Sequence, residues 1–270
     1  MLLRNAEVLF NDPVSVGLYH MGLRCPEIAA RIQPGQFLMV RVLETLDPLL
    51  RRPFAVHRVY SNDPPTSFEI LYRVVGRGTR ILAEVLPRTS LSLLGPLGSG
   101  FRPPDQDGFM LMIAGGIGIA PLPFLAETLV ESGLRGPYVL WFGGKSAGDL
   151  VCVEHFQNLG FAVELATEDG SAGRKGLVTQ HLEKWMSRQA ERPTMVYSCG
   201  PHPMQRQVAE LVRQLGVKSQ LSMEALMACG VGTCLSCSLR CRPPDRGQDL
   251  YYANVCQEGP VLLGEDIVWE

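Results

Sequence analysis

Residues Cys229-Gly230-Val231-Gly232-Thr233-Cys234-Leu235-Ser236-Cys237 place three cysteines at the spacing C-x4-C-x2-C, and Cys256 follows a short way beyond. This unequal spacing is the plant-type pattern of a [2Fe–2S] cluster held by four thiolates. The two glycines fit the same interpretation, because backbone that wraps an inorganic core needs dihedral angles and close approaches that a Cβ would block. The alternative is a zinc site, which usually pairs its cysteines in two short C-x2–4-C units. A cluster moves single electrons, so the rest of the chain must supply a donor or an acceptor.

Length and composition restrict the possibilities. The chain has 270 residues and a net charge of −2, which predicts two or three packed units and gives no electrostatic case for nucleic acid. No N-terminal signal pattern precedes the eight cysteines, so we expect metal-bound or free thiols in the reducing cytoplasm. The uncharged run from Phe109 to Ala126 is long enough to span a membrane, but its glycines and prolines favour a buried strand, a turn and a helix.

The pattern of the chain changes twice. Residues 1–101 contain short apolar runs between Pro, Gly and Asn-Asp turns, which predicts a small antiparallel β-barrel. Residues 102–218 alternate strands and helices, which predicts a doubly wound parallel sheet. Residues 219–270 carry the thiol loop as a small C-terminal domain. The strands predicted for this sheet are Phe109–Ala114, Tyr138–Phe142, Phe161–Ala166, Thr194–Cys199 and Ser219–Met223, the last of which opens the C-terminal segment. The predicted helices are Leu122–Ser132, Asp149–Leu159, Leu177–Arg188 and Pro203–Leu215.

A glycine-rich turn stands where a nucleotide loop is expected. Ala114-Gly115-Gly116-Ile117-Gly118-Ile119-Ala120-Pro121 follows an apolar strand and opens a helix, where exposed amides and the helix dipole can hold a pyrophosphate. The alternative is a glycine turn without a ligand. Glu168-Asp169 and Cys199-Gly200 support a dinucleotide site, since they follow later strands at the edge where ligands bind in such sheets.

Two segments of the barrel region suggest a second anion site. Arg51-Arg52-Pro53-Phe54-Ala55 supplies guanidinium groups, and Gly76-Arg77-Gly78-Thr79 opens a predicted helix after a strand. A guanidinium fork together with backbone amides and a hydroxyl suits a phosphate. The alternative is that Arg51 and Arg52 are solvated surface charges.

The order of these motifs resembles the ferredoxin-reductase superfamily over essentially the whole chain. The motifs of this chain that carry the resemblance are R-P-F-A, Y-R-V-V-G-R-G-T, A-G-G-I-G-I-A-P, C-G-P-H-P-M and C-G-V-G-T-C with C-x-E-G-P-V. Within the superfamily, the chain is most similar to the electron-transfer subunits of class 1B dihydroorotate dehydrogenase, a heterotetrameric flavoprotein of pyrimidine biosynthesis.

The resemblance implies that the barrel binds FAD and that Phe54 lies against the isoalloxazine ring. Ala55 stands where Ser or Thr is usual, so a hydroxyl contact to the flavin is lost. The residues that the resemblance places at FAD are Arg52, Pro53, Phe54, Ala55, Leu71, Tyr72, Arg73, Gly78 and Thr79.

The resemblance also implies that the parallel-sheet domain binds NAD, with Gly115, Gly116, Gly118 and Gly200 at the nucleotide. The nicotinamide would meet the flavin near Cys199, whose alternative is a buried core thiol. A hydride would pass between nicotinamide and flavin, and the flavin would exchange single electrons with the cluster. Glu168 and Asp169 favour NAD over NADP, because carboxylates suit ribose hydroxyls and repel a 2′-phosphate.

At the cluster, the resemblance favours Cys229, Cys234, Cys237 and Cys256 as ligands. It leaves Cys241 as a free thiol in an inserted hairpin.

The resemblance implies that this oxidoreductase chain carries electrons from the FMN of a separate catalytic subunit, through [2Fe–2S] and FAD, to NAD⁺, in a two-plus-two assembly. The cluster loop and the tail Val261-Leu262-Leu263 would contact that partner, unless the tail is an ordinary packed strand. A first alternative is the small subunit of a ferredoxin- or sulfur-linked NAD(P) oxidoreductase. A second is a non-redox, zinc-stabilised binding module.

Overall fold

The computed structural model describes residues 1–60, 64–242 and 249–269. In these ranges the first part of the chain forms a seven-stranded antiparallel sheet with the order β4-β3-β7-β1-β2-β6-β5. Its strands are β1 (Leu2–Ser15), β2 (Leu18–Arg24), β3 (Phe37–Arg41), β4 (Arg52–Ala55), β5 (Arg58–Val59), β6 (Ser67–Arg73) and β7 (Ser90–Leu97), with short helices α1 (Pro26–Ala29) and α2 (Arg77–Ala83).

The sheet curls into a barrel around one apolar core. β7 alternates buried and accessible residues along its length, as a strand with one covered face does. The opposite ends of the sheet come together, because Phe54 on β4 and Tyr72 on β6 lie with ring centroids 5.6 Å apart. The predicted β-barrel is therefore confirmed.

The second part of the chain is a twisted parallel sheet with helices on both faces. Its strands in the described ranges are β8 (Met110–Gly115), β9 (Tyr138–Gly144), β10 (Ala162–Thr167), β11 (Arg174–Lys175), β12 (Met195–Cys199), β13 (Ser219–Ser222) and β16 (Val261–Leu263). These seven strands lie in the order β11-β10-β9-β8-β12-β13-β16, and β16 is antiparallel to β13. Its helices are α3 (Leu122–Glu131), α4 (Val153–Asn158), α5 (Val178–Met186) and α6 (His202–Gln214).

The helices pack on the sheet through one apolar stripe each. α5 buries Val178, Leu182 and Met186, which are four residues apart and therefore share a helix face. β8 is buried along its whole length, as expected for a central strand covered on both faces. None of the helices in the described ranges has the length and apolar character needed to cross a lipid bilayer.

The helix predicted for Asp149–Leu159 was wrong at its start. A short 3-10 turn covers Ala147–Asp149, and α4 begins only at Val153. Between them Cys152 adopts a left-handed φ of 66°, which a right-handed helix cannot contain.

The C-terminal region forms a hairpin and then rejoins the parallel sheet. β14 (Ser238–Cys241) pairs antiparallel with β15 (Tyr251–Asn254). Residues 243–248 of the predicted inserted hairpin lie outside the described residues. Val261–Leu263 pairs with β13, so the tail is a packed strand, the alternative that the sequence left open. The segments before and after residue 218 thus share one sheet.

Candidate functional site

The predicted anion site of the barrel brings β4 and the start of α2 together. A Cβ built on Gly78 would lie 2.8 Å from Arg52 Nε, so the guanidinium lies directly against the turn. The Thr79 hydroxyl accepts from the Val75 and Gly76 amides at 2.9 and 3.1 Å. Arg52 and the first turn of α2 are therefore adjacent, as a shared phosphate would require.

Arg51 and Arg52 have different surroundings. The Arg51 guanidinium donates to Ser92 O at 2.7 Å and to Ser92 Oγ at 2.9 Å. It therefore ties the residues before β4 to β7, and it is not a solvated surface charge. Arg52 is half-buried beside Gly78.

The aromatic residues of β4 and β6 form one wall of the barrel. Phe54 is buried and makes an edge contact with Tyr72, which stacks on Tyr19 at 5.7 Å. The Tyr72 hydroxyl donates to Asn11 Oδ1 at 2.9 Å. Pro53 and Ala55 lie on the same short strand as Phe54. The contact of Phe54 with isoalloxazine stays a prediction, because Phe54 and Tyr72 both pack into the apolar core of the barrel.

Arg73 links the barrel to the parallel-sheet unit. Its Nη2 donates to Asp149 Oδ1 at 2.6 Å, and Asp149 Oδ2 accepts from the Lys145 amide at 2.7 Å. Burial raises the pKa of the Asp149 carboxyl, but the Arg73 guanidinium and the Lys145 amide outweigh it, so the net pKa lies below its ordinary value. Neighbouring Leu71 faces the core of the parallel-sheet unit.

A cavity of about 410 Å³ opens at the carboxyl edge of the parallel strands, the edge where dinucleotides bind in such folds. Three of the residues predicted at the nucleotide line this cavity, namely Gly115, Gly116 and Glu168. Further lining residues include Arg73, Lys145, Asp149, Thr179, Met204 and Glu224.

Three other residues predicted at the nucleotide do not line the cavity. A Cβ on Gly118 would lie 2.2 Å from Cys199 O, so this glycine allows the turn after β8 to touch β12. A Cβ on Gly200 would lie 3.1 Å from the Gly115 amide nitrogen, so this glycine also allows the ends of β8 and β12 to pack closely. The Asp169 carboxylate accepts from the Ser171 amide at 2.9 Å and the Ser171 hydroxyl at 2.6 Å, so it closes its own turn.

Cys199 ends β12 as a buried thiol. Burial raises its pKa to about 12, and the nearby Glu224 carboxylate adds to the rise. Glu224 lines the nucleotide cavity, and the surrounding protein raises the pKa of its carboxyl. The thiol is therefore protonated at neutral pH, and Cys199 is not among the residues that line the cavity.

The thiol loop wraps its sulfurs with backbone amides. The Val231 and Cys234 amides donate to Cys229 Sγ at 3.4 and 3.5 Å, and the Gly232 amide donates to Cys256 Sγ at 3.1 Å. Gly230 and Gly232 have φ of 73° and 79°, the left-handed region that glycine adopts without strain. Such amides stabilise thiolates that hold a cluster.

The sulfurs are spread too widely for one tetrahedral ion. Four sulfurs around a single zinc lie about 3.8 Å apart, given a Zn–S bond of about 2.3 Å. In the described ranges, the only three candidate ligand atoms that all lie within 4.8 Å of one another belong to His20, His57 and Glu69. The thiol loop therefore fits a two-iron cluster better than zinc.

The thiols have contrasting environments. Cys234 is exposed, and hydrogen bonds from Ser236 lower its pKa to about 6. Burial raises the pKa of Cys256 to about 12, although the Gly232 amide opposes the rise. Cys256 lies next to Cys237, whereas Cys241 is buried in β14 opposite Tyr251. These contacts support Cys256 as the fourth ligand.

Two sequence families match the chain. The iron–sulfur cluster binding domain of dihydroorotate dehydrogenase B matches residues 224–268, and the oxidoreductase NAD-binding domain matches residues 112–210. The electron transfer subunit of dihydroorotate dehydrogenase B (NAD(+)) from Desulforamulus reducens is 36% identical over 266 residues, which cover 98% of each protein. The chain belongs to the family of dihydroorotate dehydrogenase B electron transfer subunits. The subunit from Geobacillus kaustophilus is 39% identical over 238 residues and 87% of each chain.

Solved structures place this family member among the ferredoxin-reductase-like folds. A chain of the NADH-dependent reduced ferredoxin–NADP oxidoreductase has a TM-score of 0.82 and 25% identity, covering 98% of this chain and 90% of its own. A ferredoxin NADP⁺ reductase from Neisseria gonorrhoeae, solved with FAD and NADP, has a TM-score of 0.65 and 16% identity over 79% of this chain and 92% of its own. The predicted fold class and the predicted family membership are both confirmed.

Several lining residues of this family member escaped the sequence analysis. Lys145 and Asp149 follow the Gly143-Gly144 pair that ends β9, so their place after a parallel strand was the available signal. Glu224 follows β13 in the same way. Met204 ends the C-G-P-H-P-M motif, which marked the segment but not this side chain, because an apolar residue in the first turn of an amphipathic helix is indistinguishable from core.

Proposed function

We propose that this chain is the electron transfer subunit of an NAD-linked dihydroorotate dehydrogenase, acting in the cytoplasm in pyrimidine biosynthesis. Electrons from the FMN of a separate catalytic subunit would pass through a [2Fe–2S] cluster and FAD to NAD⁺. The observation that carries the proposal is a pair of contacts, one between the thiol loop and the barrel and one between the barrel and the cavity of the parallel-sheet unit.

The first contact joins the cluster loop to the barrel. A Cβ on Gly230 would lie 2.6 Å from Met39 Cγ, so the loop lies directly on β3. Cys237 and Cys256 share an apolar cluster with Phe37, Met39 and Leu97. The cysteines that we propose as cluster ligands would thereby lie against β3, which pairs with β4 and its proposed flavin residues, so electrons would travel only a short distance.

The second contact joins the barrel to the nucleotide cavity. Arg73 leaves the flavin segment on β6 and reaches Asp149 at the cavity wall. We expect this pair to set the position of the nicotinamide relative to the flavin.

Each group has residues that suit it. Arg52, Gly78 and Thr79 would bind the FAD phosphates, while Pro53, Phe54, Ala55, Leu71, Tyr72 and Arg73 would border the ring. When bound, FAD exchanges a hydride with the nicotinamide and single electrons with the cluster. Gly115, Gly116 and Glu168 would contact NAD directly, with Gly118, Gly200 and Asp169 shaping the loops around it. Cys199 would border the nicotinamide as a neutral thiol that excludes water.

The deciding experiment compares the chain alone with the chain and an FMN-containing catalytic subunit, which we expect in a two-plus-two assembly. Alone, it should oxidise NADH with an artificial dye and leave dihydroorotate unchanged. Dihydroorotate oxidation by NAD⁺ should appear only after the catalytic subunit is added. Failure of the reconstituted pair to reduce NAD⁺ with dihydroorotate would contradict the proposal.

A second candidate is supported by the similarity to the NADH-dependent reduced ferredoxin–NADP oxidoreductase, whose chain aligns over 98% of this one. In that case the natural partner would be a ferredoxin-linked subunit. Purification of the native complex distinguishes the two, because the partner would carry FMN in the first case and a ferredoxin-reducing activity in the second.

A further inference from the structure

A cluster of metal-ligand side chains lies outside the sites described above, on the face of the barrel that meets the parallel-sheet unit. His20 on β2, His57 after β4 and Glu69 on β6 have ligand atoms that all lie within 4.8 Å of one another. The His57 residue is 2% exposed, and the side chains of Glu69 and His20 are 5% and 25% exposed. Three ligand residues from separate segments thus converge at a largely buried point.

His57 is held in the orientation of a metal ligand. Its Nδ1 donates to Ala120 O at 2.7 Å, which leaves the lone pair on Nε2. Metal-binding histidines usually donate their second ring N–H to a carbonyl or a carboxylate, which fixes the tautomer and the ring plane. The acceptor here belongs to the turn after β8, so the ring already joins the two units.

Cys152 of the parallel-sheet unit lies beside this cluster without joining it. Its Sγ lies 3.7 Å from His57 Nε2, but it does not belong to the group of ligand atoms that all lie within 4.8 Å of one another. Cys152 has a φ of 66°, a conformation that costs a non-glycine residue energy and is concentrated at functional sites. The strained backbone directs this thiol toward His57.

The two imidazoles have the spacing that a shared ion requires. Their ring centroids lie 5.2 Å apart with planes at 84°. Two imidazoles on one tetrahedral zinc have centroids about 5 Å apart, given a Zn–N bond of about 2.1 Å. His20 Nε2 lies 2.8 Å from Glu69 Oε2, and Tyr60 hydrogen-bonds to the same carboxylate. Glu69 therefore has an outer partner that orients it, as metal-bound carboxylates do.

We propose that His20, His57 and Glu69 form a site for one zinc ion on the face of the barrel that meets the parallel-sheet unit. Two imidazoles and one carboxylate are a donor set that zinc binds with a fourth position left for water, and imidazole donors favour zinc over magnesium or calcium. His20 and Cys152 both line a surface groove of about 410 Å³, which gives the ion a path to the site.

The test uses the complete chain with its [2Fe–2S] cluster loaded, so that iron occupies the cluster thiols. Protein incubated with ZnCl₂ and desalted should retain one zinc per chain by elemental analysis, with iron unchanged. X-ray absorption at the zinc edge should show nitrogen and oxygen neighbours and no sulfur neighbour. The variants His20→Ala and Glu69→Gln should each lose most of the zinc while keeping full iron and flavin.

Matched controls separate the site from adventitious binding. Cys25→Ser removes a buried thiol elsewhere in the barrel, and His155→Gln removes a nearby imidazole that pairs with Glu127 at 3.1 Å. Both should keep the zinc. Zinc should also raise the thermal unfolding midpoint of the wild type and leave that of His20→Ala unchanged. Wild-type protein that keeps no zinc, or equal zinc retention by all four variants, would overturn the proposal.

Discussion

Arg73 Nη2 lies 2.6 Å from Asp149 Oδ1, so one hydrogen-bonded ion pair joins the end of β6 in the barrel to the loop after β9 in the nucleotide unit. Asp149 also accepts from the Lys145 amide. The pair therefore couples β6, which carries proposed flavin residues, to a loop that borders the nucleotide cavity.

Arg73→Gln and Asp149→Asn should each lower the thermal unfolding midpoint by roughly 2–8 °C, because a half-buried charged hydrogen bond contributes about 1–3 kcal/mol. The double variant should unfold at about the same temperature as the less stable of the two single variants, since both changes remove the same interaction. Tryptophan fluorescence on heating measures the midpoints. Additive losses in the double variant would show that the two residues act independently.

The pH dependence of this pair follows from the lowered pKa of Asp149. The carboxyl binds its proton more weakly in the folded protein than in the unfolded chain. Its stabilisation is therefore fully present above about pH 4, the range of an unperturbed carboxyl, and is lost as the pH falls through the lower folded pKa. The difference in midpoint between wild type and Asp149→Asn should shrink only in strongly acidic buffer.

Cys256→Ser should abolish the cluster, whereas Cys241→Ser should keep the two irons that a [2Fe–2S] centre requires. The reason is that Cys256 Sγ lies in the amide-lined loop, 3.1 Å from the Gly232 amide, while Cys241 is buried in β14. Iron and sulfide analysis of anaerobically purified protein gives the measurement. Loss of iron in the second variant and not the first would reverse the assignment.

NADH should reduce the flavin much faster than NADPH, and Glu168→Gln should raise the KM for NADH roughly 10- to 100-fold. A lost hydrogen bond to a charged group costs about 1.5–3 kcal/mol, and Glu168 lines the cavity. Asp169→Asn is the matched control and should change the KM little, because that carboxylate bonds to Ser171. Stopped-flow reduction with both nucleotides would contradict this reasoning if the rates were similar.

Cys199→Ala should slow flavin reduction by NADH about tenfold with little change in nucleotide affinity, if the thiol borders the nicotinamide as proposed. Its pKa of about 12 means that no thiolate forms below pH 9, so the reduction rate should show no rise between pH 7 and 9 from this residue. Single-turnover rates across that range test the expectation. A rate that increases with thiol ionisation in the wild type and not in the variant would contradict it.

The sequence alone determined the features that depend on residues close together in the chain. Short apolar runs between turn residues predicted the barrel, the alternation of strands and helices predicted the parallel sheet, and the C-x4-C-x2-C spacing predicted the cluster loop. These follow from local periodicity and from the dihedral freedom of glycines such as Gly230 and Gly232, which neighbouring residues hardly alter. The family resemblance added the candidate residues at FAD and NAD.

Only the tertiary structure decided which distant residues meet. Arg52 lies against Gly78, Arg73 reaches Asp149, and Asp169 turns away from the cavity that Glu168 lines. Cys152 interrupts the predicted helix and approaches His57 from another unit. Periodicity carries no information about such contacts, because they depend on how the curled barrel packs against the sheet, and that packing is set by the buried surfaces of both units together.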